Sequence, residues 1–199
     1  RKFISGDILI VNMPAPGNFL NKIAKPAVRD VFFDLFARLG RPNVMIKIPS
    51  TKEGLVAIEA LIADGININA TLLFTVERYV EVAEAVIRGL QIRADQGKAL
   101  ENISSVASFF VSRVENSLDN ALDEAIANGQ TELTALKGEL AVANAKAAYL
   151  QYQQLFATDT FQALKEKGAQ AQRLLWASTG TKNSDYSDIL YVQELIGDN

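Results

Sequence analysis

The chain has 199 residues, of which 49% are hydrophobic and 22% charged, with a formal net charge of −3. That suits one globular domain with a sizeable core and leaves no basic excess for nucleic acid or an anionic membrane. Cysteine and histidine are both absent, so disulfides, thiol nucleophiles, Ser-His-Asp triads and Cys- or His-ligated metal sites are excluded, and any general acid or base must be a carboxylate, Lys, Tyr or bound water.

Five short apolar runs read as strands: Asp7–Met13, Asn43–Ile48, Thr71–Phe74, Val106–Val111 and Leu174–Ala177. They are continuous rather than alternating, which predicts strands buried on both faces, as in a parallel sheet. The segments between them read as helices. Ala24–Leu39 places Val28, Val31, Phe32, Leu35 and Phe36 at helical spacing. Glu53–Asp64 carries Leu55, Ile58 and Leu61 and stops at Gly65, a residue suited to a left-handed C-cap. Val76–Leu90 puts Val76, Val80, Ala83 and Ile87 on one helical face. From Arg113 to Gln172 the pattern is all helical, with Glu115–Ala127, one long helix over Thr131–Leu155, and Thr160–Lys167 before Gly168. Gly180–Asp185 reads as a loop and Ile189–Ile196 as a last short helix. Strand alternating with helix predicts an α/β protein, and with no long linker the whole of 1–199 reads as one domain. No apolar run approaches the roughly 20 residues of a membrane-spanning helix. Arg1–Gly6 is not followed by the apolar core of a signal peptide, and the lack of cysteine leans towards the cytoplasm.

The chemistry centres on Lys47, inside Val44-Met45-Ile46-Lys47-Ile48. Burial disfavours an ammonium, and a neutral amine can attack a carbonyl to form a Schiff base. A Lys paired with a buried carboxylate, or snorkelling from an edge strand, would give the same pattern. The other runs carry small polar groups: Asn69 and Thr71, Ser108, and Ser178 just after Ala177. Asn69 and Thr71 share one face of a strand. Polar groups at the C-terminal ends of parallel strands are where a barrel places its active site. Each of them taken singly also fits a capping or backbone-satisfying role. Two cations follow strand ends, Arg113 and Lys182. A Gly- and Thr-bearing loop with a Lys can present amides and an ammonium to a phosphate, although most loop cations are simply solvated. No Gly-rich phosphate loop follows an early strand, which argues against a nucleotide-binding domain.

These residues carry a resemblance. Arg41-Pro42-Asn43-Val44-Met45-Ile46-Lys47-Ile48-Pro49-Ser50-Thr51-Lys52-Glu53-Gly54 resembles the Schiff-base strand and following turn of transaldolases. Gly65–Phe74, Ser105–Val114 and Gln172–Asn183 resemble the next three strands of that family in order, and Ala143-Asn144-Ala145-Lys146 resembles a helix of its longer bacterial branch. The resemblance runs from about Gly40 to Gly197. It implies a (β/α)8 TIM-barrel-type fold of the class I aldolase kind, here partial, with strands three to seven present and strands one, two and eight outside the chain. Two open sheet edges would then favour self-association.

By the same resemblance, Lys47 is the Schiff-base lysine. Asn69 and Thr71 hold sugar hydroxyls and catalytic water, Ser108 and Ser178 line the sugar site, and Arg113 binds the substrate phosphate with Lys182 as a second cation. The implied reaction belongs to the pentose phosphate pathway. It moves a dihydroxyacetone unit between sugar phosphates and needs neither cofactor nor metal. The family also uses an Asp on strand one and a Glu on strand three. The region aligned with that Glu reads Ile10-Val11-Asn12-Met13-Pro14-Ala15-Pro16, with Asn12 at its place, and an amide cannot serve as a base at neutral pH. The competing expectation is a non-catalytic barrel remnant that binds sugar phosphates or serves as an interaction surface.

Overall fold

A computed structural model describes residues 9–12 (backbone course), 34, 36–41 and 43–196. Five strands form one sheet in the order β1 (Leu9–Asn12), β2 (Val44–Pro49), β3 (Ile68–Leu73), β4 (Ser105–Phe110) and β5 (Arg173–Ala177). Every neighbouring pair is parallel. Among the described residues β5 pairs only with β4 and β1 only with β2, so the sheet is a barrel segment that does not close. Consecutive strands joined by helices lie side by side, as right-handed crossovers require.

The helices are α1 (Lys52–Asp64), α2 (Val76–Asp95), α3 (Ser112–Ala127), α4 (Leu140–Phe156), α5 (Asp159–Glu166) and α6 (Leu190–Leu195), with a 3₁₀ segment at Thr131–Leu136. Local chemistry sets their ends. The side chains of Thr51, Thr75 and Thr158 cap α1, α2 and α5 by accepting from the amides of Gly54, Arg78 and Phe161, which satisfies amide groups that have no partner inside the helix. Gly65 ends α1 at φ +93°. The expected strands and the α/β class are all found, with shifted bounds. Two expectations change. The single helix over Thr131–Leu155 is broken, because Gly138 adopts φ +81° between the 3₁₀ segment and α4. The core face of α2 is Tyr79, Val82, Ala83, Val86 and Leu90, while Val76, Val80 and Ile87 sit at its margins. Of Ala24–Leu39, residues 34 and 36–39 are helical and most of the rest lies outside the described residues.

The two faces of the sheet divide the labour. Ile46, Ile48, Ile68, Ala70, Ala107 and Phe109 point outward into a core shared with α1, α2, α4 and α5. Each large aliphatic side chain so buried contributes roughly 1.5–3 kcal/mol. The expectation of strands buried on both faces holds along most of β2, β3 and β4, with polar residues on the inner face around Lys47, and fails for β5, which is only half-buried, with Leu175 38% exposed.

Side chains tie the ends where strands enter the sheet. The Ser104 amide donates to Asn67 Oδ1 at 2.8 Å, and Gln172 Nε2 donates to Ser105 Oγ at 2.7 Å. Gln170 donates to the Glu101 carbonyl, and Arg93 donates to the carbonyls of Ala63 and Ala99.

Candidate active site

The register of the sheet assembles the inner face. Lys47 is paired with Asn69, and Pro49 with Thr71. Paired residues of parallel strands present their side chains to the same face, and alternation puts Asn69 and Thr71 together. Lys47, Asn69 and Thr71 therefore face the same side. Ser108 joins them directly, because its hydroxyl donates to Asn69 Oδ1 at 2.8 Å. The backbone of Asn12 is paired with that of Lys47.

Lys47 is half-buried, although both its chain neighbours, Ile46 and Ile48, are fully buried. The amine thus emerges on the polar inner side rather than within the hydrocarbon core. Among the described residues no ion pair reaches it, which removes the paired-carboxylate alternative for those residues.

Thr71 is held by a β-bulge. Between Ala70↔Ala107 and Leu73↔Phe109 the β3 strand contains one residue more than β4. Leu72 takes up the difference at φ +62° and is pushed outwards, 42% exposed. Bulges re-aim side chains next to functional sites. Here the Thr71 carbonyl accepts from both the amide and the hydroxyl of Ser50, each at 2.8 Å. The Thr71 hydroxyl is buried without a hydrogen-bond partner among the described residues, so it is available to a bound polar group.

At the C-terminal end of β4 the Arg113 guanidinium carbon stands 4.8 Å above the Phe110 ring, and the Phe110 ring packs against that of Phe74, tilted by 39° with centroids 5.3 Å apart. Arg113 is otherwise exposed, beyond the strand end. Ser178 follows β5 in the left-handed region, φ +58°. Its carbonyl accepts from the Ser112 amide at 3.0 Å, and the two hydroxyls lie 2.8 Å apart. Lys182 sits further out. It lines a cavity of about 10 Å³ with Ser112, Glu115, Asp119, Tyr186 and Tyr191, and so lies beside α3 rather than over Lys47.

Sequence reasoning missed Ser50, Ser112, Glu115 and Asp119. The buried positions of α3 are Ser112, Glu115, Asp119 and Leu122, a helical period occupied mostly by polar residues. That signal was available, since two carboxylates fall where an amphipathic helix places its apolar stripe. Burial is the main cause holding the Glu115 carboxyl up at about 7. The neighbouring Asp119 adds to it, while the Ala141 amide opposes it. Tyr186 donates to Asp119 at 2.6 Å, and burial raises the phenols of Tyr186 and Tyr191, the latter to about 12.

Among the described residues no cluster of three or more Asp or Glu side chains is placed to hold a metal ion. No described helix is long and apolar enough to cross a membrane.

Residues 33–199 match the transaldolase/fructose-6-phosphate aldolase family. A transaldolase of Trichodesmium erythraeum is 50% identical over 169 residues, which cover 82% of this chain and 44% of that protein. A transaldolase of Mycobacterium ulcerans is 52% identical over 164 residues, covering 82% of this chain and 43% of its own length. Transaldolase 2 of a Nostoc species is 50% identical over 168 residues. The chain thus spans less than half the length of these relatives. With its parallel open barrel segment and the match over residues 33–199, the chain belongs to the transaldolase/fructose-6-phosphate aldolase family.

Proposed function

We propose that this chain carries the Schiff-base half of a transaldolase site acting on sugar phosphates in the pentose phosphate pathway. The observation that supports this best is the register Lys47↔Asn69, with Ser108 bonded to Asn69. It places an amine, an amide and two hydroxyls on one inner face. In this reading the Lys47 amine attacks the carbonyl carbon of a ketose phosphate, and water leaves as an iminium forms. The bond between the third and fourth carbons then breaks as the hydroxyl on the fourth carbon gives its proton to water in the site and becomes the carbonyl of the departing aldose. The electron pair of the broken bond flows into the iminium, an aldose phosphate departs, and a three-carbon enamine remains on Lys47. Asn69 and Thr71 hold sugar hydroxyls and water, Ser108 and Ser178 line the sugar, and Arg113, with Lys182 further out, takes the phosphate. No cofactor enters this scheme, because the iminium is the electron sink. The family membership is also the basis for a cytoplasmic setting.

A second reading is imine formation without transfer to an acceptor aldehyde. It is favoured by two observations: no described carboxylate pairs with Lys47, and the position paired with it on β1 is Asn12. Borohydride trapping with fructose 6-phosphate, followed by peptide mapping, tests the imine. An assay of three-carbon transfer to an aldose phosphate acceptor then separates the two readings. Label on a residue other than Lys47 would overturn both.

A further inference from the structure

The α3 helix buries two carboxylates just behind the tip of β5. Glu115 is 2% exposed; the Ala141 backbone amide is directed at its carboxyl group, but neither oxygen completes a hydrogen bond of good geometry among the described residues. Asp119, one turn on, is 6% exposed. One of its oxygens accepts from Tyr186 and the other has no partner. Both line the cavity of about 10 Å³ that Ser112 also lines. That volume is roughly the size required for one water, and its polar lining supplies the partners a buried water needs. Beyond Ser112, the next hydroxyl is Ser178, 2.8 Å away.

We propose that Glu115 is a positioning residue for Ser178, acting through one water in this cavity and the Ser112 hydroxyl. The proposal rests on the sugar site described above. A row of hydroxyls has a direction. When Glu115 is protonated it donates into the row, and each group donates onward. Ser178 then has its own hydrogen free for an oxygen of the bound sugar. When Glu115 is ionised it can only accept; the water then gives one hydrogen to Glu115 and the other to the unpartnered oxygen of Asp119, so it must accept from Ser112, the row reverses, and the Ser178 hydrogen is committed to Ser112. Ser178 then meets the sugar as an acceptor. The protons stay on their oxygens, and only the hydrogen-bond direction changes.

The surroundings suit a group that changes state near neutral pH. Asp119 faces Glu115 from the same helix and Glu139 from the start of α4, and both favour the neutral form. The Ala141 amide favours the charged form. Lys182 and Tyr186 face the cavity from the loop after β5, and Tyr191 faces it from α6. Lys137, paired with Asp123, stands beyond Asp119.

The test follows the Glu115 carboxyl carbon by ¹³C NMR on glutamate-labelled full chain, its resonance identified by loss in E115Q. Titrations are run with and without fructose 6-phosphate, in the parent and in S112A. In the parent the midpoint should lie near 7, and S112A should move it by roughly half a pH unit or more, since a hydrogen-bond partner of one protonation state is lost. Fructose 6-phosphate should move the midpoint in the parent and not in S112A, because coupling between two sites is reciprocal. A midpoint that S112A leaves in place overturns the proposal, whether or not sugar binds. If S112A moves the midpoint but borohydride trapping fails in the parent at every pH, the link to Ser112 stands and the transaldolase reading falls. If the sugar moves the midpoint equally in S112A, the Ser112 route is overturned.

Discussion

The Ser108 hydroxyl donates to Asn69 Oδ1 at 2.8 Å, joining β4 to β3 on the inner face of the sheet. The bond occupies the amide oxygen and so turns the Asn69 NH₂ group towards other acceptors. Ser108→Ala should cost about 1 kcal/mol in urea unfolding and should slow borohydride trapping, because the amide is then free to rotate. Unfolding at the parent's urea midpoint would show that the bond contributes nothing.

Lys47→Met keeps similar length and removes the amine. Because Lys47 is half-buried and unpaired among the described residues, stability should change by no more than about 0.5 kcal/mol. Trapping should vanish. Mass spectrometry after borohydride decides it: a persistent three-carbon or hexose adduct in the variant removes Lys47 from its role.

Gly54 is placed where a side chain has no room. A Cβ there would run into the Pro49 carbonyl oxygen, which is backbone and cannot swing aside. Gly54→Ala should push the β2–α1 turn outwards, disturbing the Ser50–Thr71 bonds. A loss of about 1–3 kcal/mol in thermal or urea unfolding is expected. An unchanged melting temperature would mean that the turn is softer than its packing implies.

Much of this was legible beforehand. The five strands and their order follow from the apolar runs, because helices between parallel strands leave little topological choice. Boundaries were harder. The sequence starts the third strand at Thr71, yet β3 begins at Ile68, since Asn67 and Asn69 look like loop residues until their partners are known. One is bonded to Ser104 and the other to Ser108. The break at Gly138 was hidden because its nearest neighbours, Ala135, Leu136, Lys137, Glu139, Leu140 and Ala141, are all good helix formers. What stops the helix is φ +81° and a Tyr186 ring 3.2 Å from where a Cβ would be, a contact across the chain. On the site, Lys47, Asn69 and Ser108 could be read from isolated polarity in apolar runs. The burial of Glu115 could be read from its place on the inward stripe of α3, but not its perturbed carboxyl, because the surroundings that perturb it are completed by the loop after β5 and by α4.

The stability of the chain should depend on pH through Glu115. Its carboxyl is held up at about 7 in the fold, against about 4.3 for an unperturbed Glu. Between those values the folded state binds more protons than the unfolded one, so this contribution is full below pH 4 and is lost as pH rises through 7. Glu115→Gln removes the titration. The variant should gain on the order of 1–2 kcal/mol over the parent at pH 8, and less at pH 5. Urea unfolding at the two pH values checks the sign. A larger relative gain at pH 5 would contradict it.

Arg113→Ala should raise the fructose 6-phosphate concentration for half-maximal trapping about tenfold, the equivalent of about 1.4 kcal/mol for one charge-assisted phosphate contact. Lys182→Ala should have a smaller effect, since Lys182 lies beside α3, further from the Lys47 face. Equal or reversed effects in the two variants would reassign the phosphate position.

The entry ends of the strands are lashed together by Asn67, Gln170, Gln172 and Arg93, four side chains that grip backbone or hydroxyl groups of neighbouring segments. The exit ends hold Arg113 and Ser178, two of the residues proposed above to meet a sugar phosphate. This separation makes the molecule modular in an engineering sense. The loop after β5, residues 178–189, is the join on that side with length to vary, because β3 reaches α2 through Phe74 and the capping Thr75 alone and β4 reaches α3 through the buried Val111. A directed-evolution campaign confined to that loop would be drawing on residues the footing does not use, whereas a library placed at Asn67 or Gln172 would spend its diversity on foundations.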